Sequence, residues 1–546
     1  MFFTLAVSAA TEQDCAALAG RAENTDPALM PIPGPAAVTW RSADGRAAVI
    51  RWGIADPGGS APDRSGSFAG TIGPDDSGAG LRARTTLTRI DPVYAASVPG
   101  AVVLSDRAMW AASVADRLGS FDASHACALL NTGFPLGAAT PWKGVSALPP
   151  AADARAADGR LTVDSGALTP ALTPGPGTLT LGALEAGTLP LGGQIGNAGS
   201  VAAALVAAVS PLKEAGEPVR LSLTGGKDSR LVAAALVAAG VPVQGRTHGF
   251  GEHPDVTVAA DVARVLGIEH EAVTPAEPGT ETDVLARLRA TVLVADGMLS
   301  AFENVGRVDP RRSPALTAGG HGGELLRGGY AETAAGRRAA PLRAVEVLRR
   351  LTTKHNGLLR RGVRAGYMAS LAPWSRTAVV RGPLAMLDDF YLVNRAGRWS
   401  AAARQAYLIR ERLAQPLFDE GVVRAARAVP LGSRTDGSLI RAAITELCPS
   451  LADVPFAGKP AKGTVPATFD WRRQYGPRIA EFFRSYTLDQ GSPGGLFDVV
   501  SRDAAEEALA PPHADRGTVW ALATLACLYS GDYRNARDPV PLLPVT

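Results

Sequence analysis

The sequence has little lysine, little cysteine and no long hydrophobic run. Six lysines accompany 49 arginines among 546 residues, so any lysine within a motif merits separate inspection. The four cysteines are far apart and form no CxxC pair, which argues against a zinc site or a disulfide framework and favours reduced thiols, as in a cytoplasm. The apolar runs near 201–209 and 231–241 are shorter than the roughly 20 residues that span a bilayer.

A strong imbalance of charge is absent as well. The formal net charge is +3, with 20% charged and 46% hydrophobic residues. This composition is typical of a globular protein, and it gives no electrostatic argument for a nucleic acid or a membrane as partner. Because 546 residues are too many for one compact core, we expect two or three domains.

The hydrophobic pattern divides the chain into two parts joined by a linker. Residues 1–175 contain strand-length apolar pieces separated by Gly, Pro, Asp and Ser turns, which predicts a β-rich sandwich with a few helices and a buried first strand in MFFTLAVSAA. The Pro/Gly/Thr-rich stretch 176–195 is typical of a linker. Residues 196–546 begin with short apolar strands that alternate with Ala/Leu-rich helices, which predicts an α/β domain with a doubly wound parallel sheet and C-terminal helices.

The stretch LSLTGGKDSR, residues 221–230, stands where a predicted strand ends and a predicted helix begins. Its two glycines allow a tight turn with bare backbone N–H groups, and the helix N-terminus that follows favours a phosphate. Its threonine and serine add hydroxyl donors, and its aspartate fits such a place if it holds Mg²⁺. The alternative is an ordinary glycine turn with a capped helix. The residues assigned to phosphate binding are Leu223, Thr224, Gly225, Gly226, Asp228 and Ser229.

This stretch resembles the SGGxDS pyrophosphate-binding loop of the asparagine synthetase-type ATP pyrophosphatases. Three further segments resemble that family in the same order, namely THGFGEHPDVTVAADVARVLGIEHE, TAGGHGGELLRGGY and the helical segment 416–449. TPWKGVSALPPAADARAADGRLTV resembles the end of the family's glutaminase-like domain. The resemblance implies a degenerate glutaminase-like (Ntn-type) domain over 1–175 and an ATP pyrophosphatase domain over 196–546.

The resemblance also implies ATP and Mg²⁺ as ligands and assigns roles to individual residues. Asp228 would bind Mg²⁺ together with Glu324, which stands where the family has a second aspartate. His321 stands where asparagine synthetase has a catalytic glutamate and β-lactam synthetase a catalytic tyrosine. Lys459 stands where the family has its catalytic lysine, and Lys462 is the alternative. Further nucleotide contacts are implied at His248, Gly249, Gly320, Gly322 and Gly323.

Two departures from the family bear on the reaction. Glutaminases of this class use a cysteine directly after the initiator methionine, whereas Phe2 and Phe3 occupy these positions here and Cys15 lies farther along. We therefore expect no glutamine hydrolysis, as in β-lactam synthetase and the lasso peptide cyclases. The segment VNRAGRWS contains no carboxylate where β-lactam synthetase pairs a glutamate with its tyrosine.

The expected function is that of an ATP-dependent ligase that forms an amide bond through an acyl-adenylate. Lys459 would neutralise the anionic intermediate, and His321 would accept the proton of the attacking amine. The alternatives are a solvated loop lysine and a histidine that bonds a neighbouring carbonyl. A cytoplasmic enzyme of natural-product or peptide biosynthesis, forming a lactam or macrolactam, is the expected setting.

Other readings of the sequence stay open. The chain could be a tRNA-modifying ATP pyrophosphatase, or a nucleotide-binding scaffold that has lost catalysis. The arginine-rich segment 337–381 could bind an acidic peptide, a carrier protein or tRNA, although such runs are more often solvated helix faces. Asp296, in VADGML, could contact substrate or simply end a helix.

Overall fold

The computed structural model describes most of the chain. Its ranges are residues 2–53, 71–165, 196–276, 281–308, 313, 315–336, 340–459, 477–510, 515–540 and 542–544. The predicted linker 176–195 lies outside the described residues, and so do Lys462 and the start of the arginine-rich segment 337–381.

The N-terminal part contains antiparallel sheets, as the sequence predicts. Its described residues contain ten strands: β1 (Phe2–Ala9), β2 (Ala36–Arg41), β3 (Ala47–Gly53), β4 (Thr71–Pro74), β5 (Leu81–Arg84), β6 (Tyr94–Val98), β7 (Ala101–Ser105), β8 (Val145–Ala147), β9 (Ala152–Ala157) and β10 (Arg160–Ser165). The same described residues contain the α-helices α1 (Glu12–Glu23), α2 (Ala108–Val114) and α3 (Ala123–Thr132). One sheet has the order β2-β3-β1-β7-β6-β8 and the other β10-β9-β5-β4.

The stretch MFFTLAVSAA forms the buried strand β1, which confirms that prediction. Side chains of a strand alternate between its two faces. Leu5 and Val7 accordingly join the core that includes the helices, whereas Ala6 joins the smaller core between the two sheets. Both faces of β1 are therefore covered, which explains why its sequence is apolar almost throughout.

The C-terminal part combines a parallel sheet with many helices. Its strands are β11 (Val219–Ser222), β12 (Val243–His248), β13 (Glu269–Val273), β14 (Glu281–Thr282), β15 (Leu316–Gly319), β16 (Arg412–Ala414) and β17 (Leu543–Pro544). The first helices are α4 (Ala198–Val209), α5 (Lys227–Ala238), α6 (Pro254–Leu266), α7 (Val284–Val294), α8 (Gly323–Leu326) and α9 (Ala331–Ala334). The later helices are α10 (Ala340–Thr353), α11 (Arg361–Ser370), α12 (Ala372–Arg381), α13 (Pro383–Phe390), α14 (Ala401–Leu408), α15 (Glu420–Arg427), α16 (Leu431–Thr435), α17 (Ser438–Leu447), α18 (Pro477–Gly491), α19 (Arg502–Ala508) and α20 (Arg516–Ser530).

The order of the parallel strands determines where a ligand fits. Five strands run in the order β13-β12-β11-β15-β16, all parallel to their neighbours. The chain proceeds outwards from β11 to β13 and then returns to the other side of β11 with β15. Ligands of open α/β sheets bind at the carboxyl ends of the strands beside such a reversal. We therefore expect a ligand site at the loops that follow β11 and β15.

The segment from 340 to 411 is helical and contains an uncommon element. Between α13 and α14 the helix winds as a π-helix over Tyr391–Ser400. Such turns are rare and often occur at functional sites. Arg89, fully buried, donates from the N-terminal part to the carbonyls of Val393 (3.0 Å) and Gly397 (3.2 Å) in this element. The π-helix is thereby fixed to the first sheet region.

Several contacts join the N- and C-terminal parts into one packed body. The largest buried cluster contains side chains of both parts, including Trp110 and Trp520. Asp296 pairs with Arg107 inside this region, and both side chains are 1% exposed. Asp296 also has a positive φ of 51°, as expected at a tight helix end. Its carboxylate therefore joins the two parts.

One described stretch, Ala198–Ala215, is long and apolar enough to be compared with a membrane span, with a mean hydropathy of 1.2. It contains α4, whose inner face buries Val201, Leu205 and Val209. This helix packs against α5, α15 and α17. A core helix of a globular domain has the same composition, and the packing of α4 is that of a core helix.

Candidate functional site

The loop after β11 is closed by its own hydroxyl groups. The Thr224 amide donates to Ser229 Oγ (3.1 Å), the two hydroxyl oxygens lie 3.0 Å apart, and the Gly226 amide donates to Thr224 Oγ1 (3.2 Å). Helix α5 begins directly after Gly226, and no side chain in the described ranges caps it. Because the first amides of a helix have no partner within it, this N-terminus favours an anion. The simple alternative of a capped glycine turn does not fit, since no capping side chain is present at this end of α5.

Asp228 lies in the first turn of α5, with one oxygen paired and one free. Its Oδ2 accepts from Arg327 Nη2 at 3.0 Å, and Glu324 Oε1 lies 3.9 Å from the same nitrogen. Among the residues that the structure describes, none hydrogen-bonds to the buried Asp228 Oδ1. Burial raises the pKa of this carboxyl, although the charge of Arg327 opposes the rise. An unsatisfied buried carboxylate oxygen is costly, and a bound cation would satisfy it.

Asp228 and Glu324 can provide some, but not all, of the ligands of a Mg²⁺ ion. Asp228 and Glu324 can each provide an oxygen ligand, and Mg²⁺ prefers one or two carboxylates together with water and phosphate oxygens. Within the described ranges, no cluster of three or more His, Cys, Asp or Glu side chains forms a complete metal site. The remaining ligands would come from a nucleotide and from water.

The loop after β15 touches the β11 loop directly. A Cβ atom at Gly320 would overlap the backbone at Ser229, and one at Gly323 would overlap the Asp228 carboxylate. Gly322 has a positive φ of 94° and packs against the ring of Phe418. The glycines of this loop are therefore needed for its close approach to the first loop.

His321 lies between these glycines on the surface of the β15 loop. Its side chain is exposed, and its ring nitrogen Nδ1 lies beside Gly319, the last residue of β15. The ring makes no hydrogen bond within the described part of the chain, so no neighbouring carbonyl fixes it there. The side chain is thus placed at the carboxyl end of the sheet and is open to a ligand.

Lys459 follows a segment that is fastened to the β11 loop. The Ala457 amide donates to the Gly225 carbonyl at 2.9 Å. The buried Arg230 of α5 donates to the carbonyls of Val454 (2.6 Å) and Pro455 (2.8 Å). Lys459 lies two residues beyond Ala457 and is exposed. The structure therefore brings the predicted lysine close to the predicted phosphate loop.

The expected adenine contacts lie at the end of the neighbouring strand β12. His248 is the last residue of this strand and is exposed. The Gly249 amide already donates to the Val273 carbonyl at 3.0 Å. The Gly249 amide is therefore engaged within the protein, so the predicted adenine contact at this residue would have to involve its carbonyl.

A comparison with protein families agrees with this geometry. Residues 200–450 match the family model described as Asparagine synthase. This match supports an asparagine synthetase-type domain over these residues. The matched range contains the five parallel strands and both loops. A comparison with curated proteins found no match.

Several residues of this asparagine synthase domain escaped the sequence analysis. Arg327 lies one helical turn after Glu324, a spacing at which opposite charges meet, so it could have been found. Asp255 accepts a hydrogen bond from the Gly225 amide at 3.2 Å, and no local sequence pattern indicates this contact. The remaining two residues are Tyr391, which faces Glu324, and the buried Arg230. Their roles depend on contacts between segments that are distant in the sequence. Local patterns give no information on such contacts.

Proposed function

We propose that this asparagine synthase domain forms amide bonds through an acyl-adenylate. A carboxylate oxygen of the substrate attacks the α-phosphorus of ATP, the α–β phosphoanhydride bond breaks, and pyrophosphate leaves. An amine then attacks the acyl carbon, loses a proton, and displaces AMP, which keeps the former carboxylate oxygen. The observation that carries this proposal is the contact between the two loops beside β11, where an uncapped helix N-terminus meets Asp228 and its free oxygen.

Residues of both loops would act in the first half-reaction, each on a different part of ATP or on its metal ion. The uncapped amides of α5 and the Thr224 and Ser229 hydroxyls would bind the departing pyrophosphate. Mg²⁺ bound at Asp228 and Glu324 would offset the negative charge of the phosphates. Lys459 would add a positive charge from the segment that Arg230 and Gly225 hold in place. Charge that develops on the phosphates is thus met by fixed groups of the protein.

His321 would act in the second half-reaction. A neutral imidazole nitrogen can accept a proton, and this side chain is exposed at the carboxyl end of β15 with no partner in the described ranges. We assign it as the base that accepts the proton of the attacking amine. Its exposure on the second loop supports this role.

The nitrogen would come from an amine and not from glutamine. Strand β1, Phe2–Ala9, contains no cysteine. Cys15 is fully buried in α1, and burial raises the pKa of its thiol. A buried thiol of raised pKa is a poor nucleophile. Because Cys127 and Cys527 are buried as well, the cysteine chemistry of many tRNA-modifying enzymes has little support here.

A surface on α10, α11 and α12 would bind the polypeptide that presents the substrate. Among the described residues, five of the six exposed large apolar side chains lie on these helices: Leu342, Val345, Met368, Val379 and Val380. Exposed arginines lie among them, and Glu346 is the one acidic residue between 340 and 381. This combination fits an acidic polypeptide with apolar residues.

The surface can be tested with a defined probe. A fluorescein-labelled peptide of alternating glutamate and leucine is expected to bind, and the double change Arg361→Glu with Arg364→Glu should weaken it at low salt. Bulk tRNA that binds more tightly than this peptide, or an unchanged affinity in the double variant, would overturn the assignment.

The reaction itself is tested by its products. The purified protein is incubated with ATP, Mg²⁺ and panels of carboxylic acids and amines, with glutamine in a separate arm. We expect AMP and pyrophosphate in amounts equal to the amide formed, and no glutamate from glutamine. ADP and phosphate, or release of glutamate, would contradict the proposal. Nucleotide binding without turnover of any pair would favour a scaffold protein.

A further inference from the structure

Lys227 is the first residue of α5 and directly follows the two glycines of the β11 loop. It is one of six lysines in the chain, and it stands at the position that the SGGxDS signature leaves open. Its side chain is half-buried, and within the described part of the chain no group forms a hydrogen bond or an ion pair with its ammonium. Because a half-buried ammonium without a partner has lost part of its hydration, it favours the binding of an anion.

Arg441 of α17 brings a second positive charge to the same point. A Cβ atom at Gly437 would lie 3.2 Å from Lys227 Nζ and 3.3 Å from Arg441 Nη1. Gly437 directly precedes α17 and has a positive φ of 73°. The two cationic groups therefore converge over one glycine, near enough for a single phosphate group to accept hydrogen bonds from both.

Among the described residues, no carboxylate forms an ion pair with either cation. Asp436 offers Arg441 only its backbone carbonyl, which accepts from Nη2 at 3.0 Å, and its carboxylate accepts from the Ser438 amide at 2.7 Å. The carboxylate of Asp228 is paired with Arg327. Like charges that face each other without an anion repel. The pair is thus arranged for a ligand that brings negative charge.

We propose that Lys227 and Arg441 together bind the pyrophosphate portion of ATP, the group that leaves in the first half-reaction. The identity of this ligand rests on the proposed function. The amide of Lys227 is one of the first amides of α5, so an anion that binds this helix N-terminus lies within reach of the lysine side chain as well. A carboxylate is the less suitable anion, because the same helix turn contains Asp228, whose Mg²⁺ would bring phosphate oxygens to this place.

The test compares Lys227→Met and Arg441→Met with a matched lysine. The Nζ atom of Lys213 lies 3.5 Å from the place of a Cβ at Gly240, another glycine of positive φ. Gly240 follows the C-terminal end of α5, so Lys213→Met removes a similar contact at the opposite end of the same helix. Calorimetric titrations in the presence of Mg²⁺ would use inorganic pyrophosphate, α,β-methylene-ATP and AMP.

We expect pyrophosphate and the ATP analogue to bind Lys227→Met and Arg441→Met about 10-fold or more weakly than the unchanged protein. Lys227→Arg should lie between, and Lys213→Met should be unchanged. AMP lacks the pyrophosphate portion and should bind all variants equally. Pyrophosphate that fails to bind the unchanged protein, or that binds Lys227→Met equally well, would overturn the proposal. A loss for AMP as large as that for pyrophosphate would overturn it in favour of a role at the α-phosphate.

The melting temperature distinguishes a ligand-binding lysine from a structural one. Without ligand, Lys227→Met should melt at the same temperature as the unchanged protein or higher, because the substitution removes a repulsion between like charges. Pyrophosphate with Mg²⁺ should raise the melting temperature less in this variant. A ligand-free variant that melts at a lower temperature would indicate a structural lysine and overturn the proposal. Because no turnover is needed, pyrophosphate binding without amide formation would contradict the proposed function alone.

Discussion

The loops after β11 and β15 meet at one edge of the parallel sheet but are held in different ways. Hydrogen bonds among neighbours close the first loop, between Thr224 and Ser229, and the distant Asp255 and Ala457 bond only to the backbone of its Gly225. Contacts with distant residues shape the second, as Gly322 packs on Phe418 and a Cβ at Gly329 would overlap Tyr391. A loop closed by its own residues has a short sequence signature. A loop whose backbone is fixed by distant residues can carry different functional side chains while its backbone stays in place.

The chemical difference between the loops follows from this construction. In the proposed reaction the first loop would present amides and hydroxyls to the phosphates of ATP. The second loop would add Glu324 and Arg327, which act in the same half-reaction through Mg²⁺ and Asp228, and His321, which acts after the adenylate has formed. We therefore expect a substitution at His321 to impair the second half-reaction and substitutions at the other residues to impair the first, and the following experiments test that division.

The largest effect is expected from Asp228→Asn. The substitution keeps the shape of the side chain but removes a charged oxygen ligand, so ATP–pyrophosphate exchange should fall about 10³-fold or more. Glu324→Gln should act in the same direction. Asp261→Asn, on the exposed side of α6, is the matched control and should leave exchange unchanged. Exchange near the normal rate in Asp228→Asn would show that this residue is not a metal ligand.

His321→Ala should separate the two half-reactions. If the imidazole serves as base toward the amine, amide formation should fall by roughly 10² to 10⁴ while exchange continues. The measurement is a parallel assay of exchange and of amide product on the same preparation. Equal loss of both activities would refute the base assignment and place His321 among the phosphate-binding groups.

Lys459→Ala should affect the first half-reaction. Removing one fixed positive charge beside the α-phosphate is expected to lower exchange and product formation together by about 10² to 10³. Lys213→Ala, outside the two loops, provides the matched lysine control. A variant that loses product but keeps exchange would show that the lysine acts after the adenylate has formed.

The smallest effect is expected from Arg327→Met, which removes the link between the loops. Arg327 pairs with Asp228 and also with Glu332. Loss of its charge-assisted hydrogen bonds should lower exchange by roughly 10- to 100-fold. Arg264→Met, an exposed arginine of α6, serves as control. A loss as large as that of Asp228→Asn would mean that Arg327 itself contacts the phosphates.

The structure shows which features a sequence of this kind can reveal. The alternating strands and helices predicted at the start of 196–546 are confirmed, because short apolar runs and glycine turns are local signals. The β11 loop carries a local signal of the same kind. The π-helix and the buried Arg89 that fixes it were not predicted. Each depends on carbonyls or rings from remote segments, which leave no periodic pattern in the chain.

The most direct test of the account follows an oxygen atom. An acid that supports exchange is labelled with ¹⁸O in its carboxylate and converted to amide with ATP, and the products are analysed by mass spectrometry. Attack on the α-phosphorus predicts that AMP carries one ¹⁸O from the acid and that pyrophosphate carries none. Label in inorganic phosphate, with ADP formed in place of AMP, would contradict the account, because the acid would then have attacked the γ-phosphorus.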